Sequence, residues 1–481
     1  MNPSQNALKN LPKTRVELHV HLDGSVRHET LWELAKKKNM KLPGNGTFEE
    51  LQDALVIKNP VDLTHFLQPF LIFTQYIAGD LDAIERIAYE FCEDEAKNGV
   101  AYVEARYCPH FWLGTTDFHG KLKELGEVVS AVNRGFQRGE NDFGVKANTI
   151  LSALNGTGTI KDIVELCKKF KGDGVVGLDI AMNANDKSET YVEVPLNQEE
   201  IGAYEEARKS GIHRTLHAGE AGGAEMVQRA LDVYHTERVG HGYRVVENEA
   251  IYSSCKEKRV HFETCPWSSY LTGTVPLGVR KHPIVRFAED GVNFSLNSDD
   301  PTLTGRTLRD DYVLAASWGL TEAHAIRANL NAAHACFLPD NEKAQLIKKI
   351  YKELNIKLPV SEDSVDSESS NHEQRVYIRF CGALELALRG YDESDVSENM
   401  GVYHELIQFS AELDKDLQIH LSQTSAFKVI PKIVENELLQ CMLEVYHDEV
   451  HKEIKHADYV AIIVVETTDV SRKFQLVIVL R

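Results

Sequence analysis

The 481-residue sequence lacks any apolar run long enough to cross a bilayer. Its uninterrupted apolar stretches, such as residues 459–465, are far shorter than the roughly 20 residues that a transmembrane helix needs. Residues 1–14 also lack the apolar core of a secretory signal peptide. We therefore expect a cytoplasmic protein without a membrane span.

Paired cysteines, basic surfaces and phosphate-binding loops are lacking too. The eight cysteines include no Cys-x-x-Cys pair, which is typical of isolated thiols in a reducing compartment. Lysine and arginine number 53 against 73 acidic residues, for a net charge of -20, which argues against a nucleic-acid partner. The sequence contains neither a phosphate-binding Gly-x-x-x-x-Gly-Lys-Ser/Thr loop nor a dinucleotide fingerprint.

Two histidines two residues apart are the most informative feature that is present. His19 and His21 lie in the apolar stretch VELHVHLDGS, residues 16–25. Because side chains alternate across a β-strand, both imidazoles emerge on one face, close enough for a single ion to bridge them. A His-x-His spacing also arises by chance in a chain with 20 histidines. Taken alone, it fits a metal pair and a structural histidine equally well.

Three later segments have the same form: each is a short apolar run that ends in residues able to bind a metal or transfer a proton. They are RTLHAGE at 214–220, VGHGY at 239–243 and FSLNSDDP at 294–301. Neutral imidazole suits zinc, and a catalytic zinc keeps three or four protein ligands plus a water. We therefore predict one zinc ion held by His19, His21, His217 and Asp299.

Three neighbours of these ligands supply groups that move protons. His241 can orient the attacking water and accept its proton. Glu220 can act as an acid or a base toward the substrate, and Asp300 can bind a substrate nitrogen. The combination indicates hydrolysis at an electrophilic carbon.

Short β-branched runs alternate with amphipathic stretches through the first 350 residues. Eight candidate strands are 16–21, 100–106, 145–152, 175–181, 214–217, 238–241, 260–264 and 292–297. The alternation predicts an α/β fold with a parallel sheet closed as a (β/α)8 barrel, and a doubly wound open sheet is the alternative. The metal-capable residues end strands one, five, six and eight, which is where active sites of barrels are built.

The segments HVHLDGS, HAGE, GHGY, CPWSSYLTG and SLNSDDP resemble those of adenosine deaminases of the metal-dependent amidohydrolase superfamily. The resemblance spans about residues 8–355. It implies one zinc ion per chain, and attack of water on C6 of adenosine or 2′-deoxyadenosine to give inosine or deoxyinosine and ammonia. It further implies a cytoplasmic and, in some members, cell-surface location.

The resemblance assigns roles residue by residue. His19, His21, His217 and Asp299 are implied zinc ligands, and the implied catalytic residues are Glu220, which protonates N1, and His241, which assists the water. Asp300 is implied to bind N7 and Asp23 to lie near the ribose 5′-hydroxyl. The apolar helix that gates the pocket is matched by Leu63, Phe66, Leu67 and Phe70, a spacing that suits an ordinary buried helix face equally well.

One departure from the family's sequence pattern affects the binding of the purine. Members carry a glycine after the fourth strand whose N–H binds N3, and Met182 replaces it here. A side chain and a restricted φ at this position narrow the pocket or turn the donor away. We therefore expect retained zinc with reduced affinity for adenosine.

The composition changes after residue 354. The stretch LPVSEDSVDSESSN predicts a linker, and FCGALELALRGYDES with the segments after it resembles a truncated hAT-type transposase. In that family an aspartate leads the first strand, but Val465 precedes Glu466 here. We predict a barrel over 8–356, an acidic, Ser-rich linker over 357–373 and a catalytically inactive, incomplete α+β fragment over 374–481, with residues 459–465 and 474–480 as strands joined by 466–473.

Three other functions stay open at this stage. They are deamination of a related purine nucleotide or modified adenosine, nucleoside binding with weakened catalysis, and DNA binding by the tail. The last requires a basic surface, which the composition does not offer. We expect a monomer whose partner is a small-molecule substrate.

Overall fold

Parallel strands alternate with helices over most of the computed structural model. It describes residues 12–115, 117, 120–181, 193–275 and 282–354, together with two backbone strands at 466–468 and 474–476. The chain divides into two units, residues 1–358 and 359–481, which we consider separately. No helix among the described residues is long and apolar enough to cross a membrane.

Nine short strands form the centre of the described part of the first unit. They are β1 (Arg15–His21), β2 (Val100–Tyr107), β3 (Lys146–Leu154), β4 (Val175–Ala181), β5 (His213–Arg214), β6 (His217–Ala218), β7 (Arg238–His241), β8 (His261–Thr264) and β9 (Phe294–Leu296). Sequential strands pair in parallel, β1 through β5 in one sheet and β6 through β9 in another.

Backbone hydrogen bonds join the two sheets along both edges. The N–H of His21 donates to the carbonyl of Asp299 over 2.7 Å, and the N–H of Asp299 donates to the carbonyl of His19 over 3.1 Å. On the other side Thr215 donates to Leu178 of β4 over 3.0 Å. The predicted barrel is therefore confirmed, with β5 and β6 sharing the fifth position.

Helices surround the strands. The α-helices are α1 (His28–Lys37), α2 (Phe48–Leu55), α3 (Leu63–Phe66), α4 (Gln68–Ile77), α5 (Leu81–Lys97), α6 (Leu122–Phe143), α7 (Ile160–Phe170), α8 (Gln198–Lys209), α9 (Ala224–Asp232), α10 (Glu249–Glu257), α11 (Pro266–Leu271), α12 (Pro283–Glu289), α13 (Pro301–Thr304), α14 (Leu308–Trp318), α15 (Glu322–Ala335) and α16 (Asp340–Glu353), with 3-10 turns at Pro109–Trp112 and Tyr243–Glu247.

The two faces of β1 have different environments. Val16 and Leu18 pack in an apolar cluster with Ala332 and Ala333 of α15. The alternate residues, including His19, face the barrel interior, as expected from the period of two along a strand. This alternation places both histidines of the His-x-His segment on the inner face.

Two predicted elements of the first unit differ in the structure. The fifth strand is divided because its residues change partners: Arg214 pairs with β4, whereas His217 pairs with β7. The prediction of one helix carrying Leu63, Phe66, Leu67 and Phe70 is also wrong. The structure has two helices there, since α3 ends at Phe66 and α4 begins at Gln68. Pro69 is in the first turn of α4, a position that proline tolerates because the N–H there has no partner within the helix.

Only a hairpin of the second unit lies in the described part of the chain. Strands β10 (Glu466–Thr468) and β11 (Phe474–Leu476) pair antiparallel. The prediction of a loop over 466–473 is therefore wrong at its start, where two β-branched threonines favour a strand. The predicted linker, the helices of the tail and the strand at 459–465 lie outside the described residues.

Candidate active site

The histidine and aspartate side chains predicted to bind metal or transfer protons meet at the carboxyl ends of the strands. His21 ends β1, His217 begins β6, His241 ends β7, and Asp299 follows β9 by three residues. Because parallel strands of a barrel open onto one mouth, these separate segments converge. His19, His217, His241 and Asp299 form a buried group whose ligand atoms all lie within 4.8 Å of one another, so the group is able to hold a metal ion.

His21 belongs to the same cluster. Its Nε2 lies 3.2 Å from His217 Nε2 and 3.3 Å from Asp299 Oδ1, and His19 Nε2 lies 3.2 Å from that same oxygen. Ligands placed tetrahedrally at zinc bond lengths are about 3.3 Å apart. Three of the pairs among the four predicted ligands therefore have the spacing expected in a zinc shell, although the group whose ligand atoms all lie within 4.8 Å of one another contains His241 and not His21.

Two atoms at the centre of this cluster have no hydrogen-bond partner among the described residues. They are His19 Nε2 and Asp299 Oδ1, both buried. A buried polar atom without a partner costs free energy, and a metal ion would satisfy both atoms. The donor set fits zinc, which prefers imidazole nitrogens and a carboxylate oxygen.

His241 lies near different carboxylate oxygens from those that His19 and His21 approach. Its Nε2 lies 3.8 Å from Asp299 Oδ2 and 3.7 Å from Glu220 Oε2, whereas His19 and His21 approach Oδ1 of Asp299. It therefore lies at the edge of the group able to hold a metal ion, on the side where Glu220 lies. This placement suits a group that handles protons.

A carboxylate orients His19 from behind. Glu263 of β8 lies with Oε2 2.8 Å from His19 Nδ1, so Nε2 is left to face the cluster. The same carboxylate accepts hydrogen bonds from Arg106, Arg238 and Thr215 at 2.7, 2.7 and 3.0 Å. Although burial alone would raise the pKa of Glu263, the two guanidinium groups hold it well below its usual range.

His217 is oriented in the same manner. Its Nδ1 lies 3.1 Å from the carboxylate of Asp179 at the end of β4. Burial opposes ionisation of Asp179, but His217 and Arg106 lower its pKa below the ordinary value. A ligating histidine whose other nitrogen is held by a carboxylate has a fixed ring orientation and a more basic ligand atom.

Two residues at the mouth have strained backbones. His241 and Asp299 adopt φ angles of 59° and 62°, in the left-handed region that few side chains enter. Such conformations cost of order 1–3 kcal/mol each and persist where surrounding structure enforces them. Both residues belong to the group able to bind metal, so the strain coincides with the site.

The protonation states of Glu220 and His241 follow from burial. Glu220 is buried, and burial, followed by the nearby charges of Asp299 and Glu193, raises its pKa well above the usual range. Burial lowers the pKa of His241 well below its usual range. The structure therefore places a carboxyl whose pKa is raised 3.7 Å from an imidazole whose pKa is lowered, an arrangement that favours the uncharged form of both groups and suits an acid beside a base.

Asp300 lies against the chain that follows β1. Burial and the charge of Asp299 raise the pKa of Asp300 well above its usual range, and its Oδ1 has no hydrogen-bond partner among the described residues. A Cβ added to Gly24 would lie 1.8 Å from that oxygen. Only glycine at position 24 therefore leaves room for the Asp300 carboxyl.

The remaining predicted site residues are placed as follows. Asp23 is buried, accepts the N–H of Cys108 over 3.1 Å and lies 3.7 Å from His21 Nδ1. Leu63 and Phe66 are buried, whereas Leu67 and Phe70 are partly exposed. Met182 lies outside the described residues.

Sequence reasoning missed the groups that support the ligands. Glu263 and Asp179 hold two of the histidines, and Arg106 and Arg238 balance their charge. Charged residues within otherwise apolar strands were the available signal, because a charge buried in a sheet needs a partner. Which charges pair depends on register between strands distant in sequence.

Most of the chain is similar to known proteins. The adenosine deaminase family model matches residues 12–353, and a model described as the ZMYM1/FAM200, RNase-like domain matches residues 329–481. The chain is 45% identical over 348 residues to adenosine deaminase of Xenopus tropicalis, covering 71% of this chain and 95% of that protein.

Two further relatives extend the comparison. Adenosine deaminase of Bos taurus is 43% identical over 358 residues, covering 73% of this chain and 96% of that protein. A crystal structure of an amidohydrolase from Burkholderia ambifaria with bound Zn has a TM-score of 0.59 and 26% identity, covering 71% of this chain and 90% of that chain.

Proposed function

The chain belongs to the adenosine deaminase family, and we propose that it hydrolyses adenosine and 2′-deoxyadenosine with one zinc ion held by His19, His21, His217 and Asp299. The reaction consumes one water and releases ammonia, which leaves inosine or deoxyinosine. The observation that carries the proposal is the approach of predicted ligand atoms to 3.2–3.3 Å of one another, beside the buried side chains of Glu220 and His241.

A zinc ion held by these four residues would lower the pKa of water and so make it a nucleophile at neutral pH. His241 accepts the proton of the attacking water, for which its neutral imidazole is suited because burial lowers its pKa. The bound zinc of the Burkholderia amidohydrolase supports zinc over other ions.

Addition to C6 places negative charge on the purine ring, and Glu220 removes it by donating a proton to N1. This role requires a carboxyl that stays protonated at neutral pH, and burial raises the pKa of Glu220 in that direction. Asp300 presents its O–H to N7, which is an acceptor. Such a bond needs a protonated carboxyl, and the raised pKa of Asp300 favours that form.

Other residues bind the rest of the nucleoside. Asp23 lies beside His21 and binds the ribose 5′-hydroxyl. Leu63, Phe66, Leu67 and Phe70 form a gate over the pocket. In the sequence, Met182 replaces the family glycine whose N–H binds purine N3. We further propose that the protein acts as a cytoplasmic monomer and that residues 374–481 are catalytically inactive.

The test is an assay of purified, zinc-loaded protein with adenosine, with inosine and ammonia quantified. Wild-type protein should form both in equal amounts, and Glu220→Gln should slow turnover by about 10²- to 10⁴-fold, the usual contribution of a general acid. Glu200→Gln is the matched control, since Glu200 is also buried but caps α8. Wild-type protein that binds zinc and leaves adenosine unchanged would refute the proposal.

A further inference from the structure

A second buried glutamate binds the loop that carries Glu220. Glu193 accepts the backbone N–H of Gly219 at 3.1 Å from each carboxylate oxygen and that of Gly222 at 2.6 Å. The backbone N–H of Glu220 donates to it as well. One side chain from a segment 26 residues earlier therefore binds the turn on both sides of Glu220.

The loop is shaped to receive this carboxylate. Gly219 has a φ of 70°, in the left-handed region, and a Cβ added to Gly222 would lie 2.5 Å from Glu193 Oε2. Several N–H groups that converge on one point form a concave anion-binding nest. Glu193 is only 4% exposed, so its carboxylate occupies this nest away from solvent.

A second residue, Arg244, binds the carbonyl groups of the same loop. Arg244 donates its backbone N–H to the carbonyl of Gly219 over 3.0 Å and its Nη1 to the carbonyl of Ala221. The N–H groups of the loop thus point to Glu193 and two of its carbonyls to Arg244. The backbone that carries Glu220 is bound from both directions.

We propose that Glu193 is a positioning residue whose carboxylate, seated in the N–H nest around Glu220, holds the Glu220 side chain at the distance from His241 that proton delivery to the substrate requires. The inference rests on the proposed function of Glu220. Glu193 itself touches neither the cluster of metal ligands nor the reacting atoms, and it acts through the backbone of the Glu220 loop.

Substitution by glutamine tests this role with little change of shape. The amide of Glu193→Gln has one acceptor oxygen where the carboxylate has two, and its NH2 group would face an N–H donor. The loop then shifts, and a displacement of about 1 Å at a catalytic group costs up to 100-fold in rate. Substrate binding by the groups on the other strands is unaffected.

Glu200→Gln is the matched control. Glu200 is buried and accepts the N–H groups of Gly156 and Asn197 at 2.6 and 2.9 Å, so it too is a carboxylate that binds a loop, but a different loop. For Glu193→Gln we expect kcat for adenosine to fall about 10- to 100-fold with an unchanged KM and full zinc content. Glu200→Gln should leave all three quantities at wild-type values.

The double variant Glu193→Gln/Glu220→Gln separates positioning from general support. If Glu193 acts through Glu220, the double variant turns over as fast as Glu220→Gln alone. Additive losses, a loss confined to KM, or a Glu193→Gln rate equal to that of Glu200→Gln would overturn the inference. Should Glu193→Gln fail to accumulate as folded protein, Glu193→Asp carries the same test, with a lowered kcat and an unchanged KM expected.

The two proposals fail in distinguishable ways. Wild-type protein that binds zinc and leaves adenosine unchanged would refute the proposed function, whereas full activity of Glu220→Gln would refute the role of Glu220 and the inference with it. A slow Glu220→Gln beside a fully active Glu193→Gln would refute only the role of Glu193.

Discussion

Neutralising Glu263 should weaken both the fold and the metal site. Its carboxylate is fully buried and contacts Arg106, Arg238, Thr215 and the proposed ligand His19 at 2.7 to 3.0 Å. Glu263→Gln keeps the shape of the side chain but removes the charge that two buried guanidinium groups share. We therefore expect a loss in stability and a loss in zinc affinity from one substitution.

The magnitude follows from what the substitution leaves behind. Breaking a buried ion pair from one side costs about 3–5 kcal/mol, because the remaining charge is uncompensated. Arg106 retains a weaker partner, Asp179 at 3.6 Å, and Arg238 retains Glu104 at 2.7 Å, which places the expected loss near the lower end, about 3 kcal/mol. Removal of the group that orients a metal-binding histidine lowers metal affinity by about 10- to 100-fold.

Urea unfolding of the zinc-free protein, followed by tryptophan fluorescence, measures the first effect. The four tryptophans, Trp32, Trp112, Trp267 and Trp318, all lie in the barrel unit, so the signal reports that unit. Competition with a chelator of known zinc affinity measures the second effect.

Glu237→Gln is the control for a carboxylate that pairs at the surface with His213 and Arg214. It should lose no more than about 1 kcal/mol. A Glu263→Gln protein within about 1 kcal/mol of wild type, a loss expected only of surface pairs, with unchanged zinc affinity, would refute the reasoning.

Three further predictions concern catalysis. Glu220 must be protonated to donate and its pKa is raised by burial, whereas His241 must be neutral to accept a proton and its pKa is lowered, so kcat should be constant between these two pKa values and fall as pH rises through that of Glu220; a descending limb near 4.3, the ordinary glutamate value, in a kcat–pH profile would contradict the assignment. Gly24→Ala places a Cβ 1.8 Å from Asp300 Oδ1, so kcat/KM for adenosine should fall while metal analysis finds zinc retained; unchanged kinetics would remove Asp300 from the site. Met182→Gly should raise kcat/KM for adenosine in the same assay, and no gain would count against an obstructive methionine.

The strands and the convergence of the predicted ligands were predictable because both follow from local pattern, and their role in binding zinc remains a prediction. Period-two alternation placed His19 and His21 on one face, and the convergence of parallel strand ends brought in His217 and Asp299 from the other side of the barrel. Neither step required knowledge of side-chain contacts. The predicted roles of Glu220 and Asp300 remain predictions for the assays above.

The supporting groups were not predictable in the same way. That Glu263 contacts His19, and Asp179 contacts His217, depends on which residues of non-adjacent strands face each other across the barrel. Glu193 is a similar case, since nothing in its neighbourhood in the sequence links it to the Glu220 loop. The start of α4 did have a local signal in Pro69, because proline suits the first turn of a helix.

Titration of zinc into metal-free protein, with inosine formation from adenosine followed at each step, tests the central claim most directly. The account predicts negligible activity without metal and a linear rise that saturates at one zinc per chain. Saturation at another stoichiometry, or no inosine at any zinc concentration, would contradict a single-zinc deaminase.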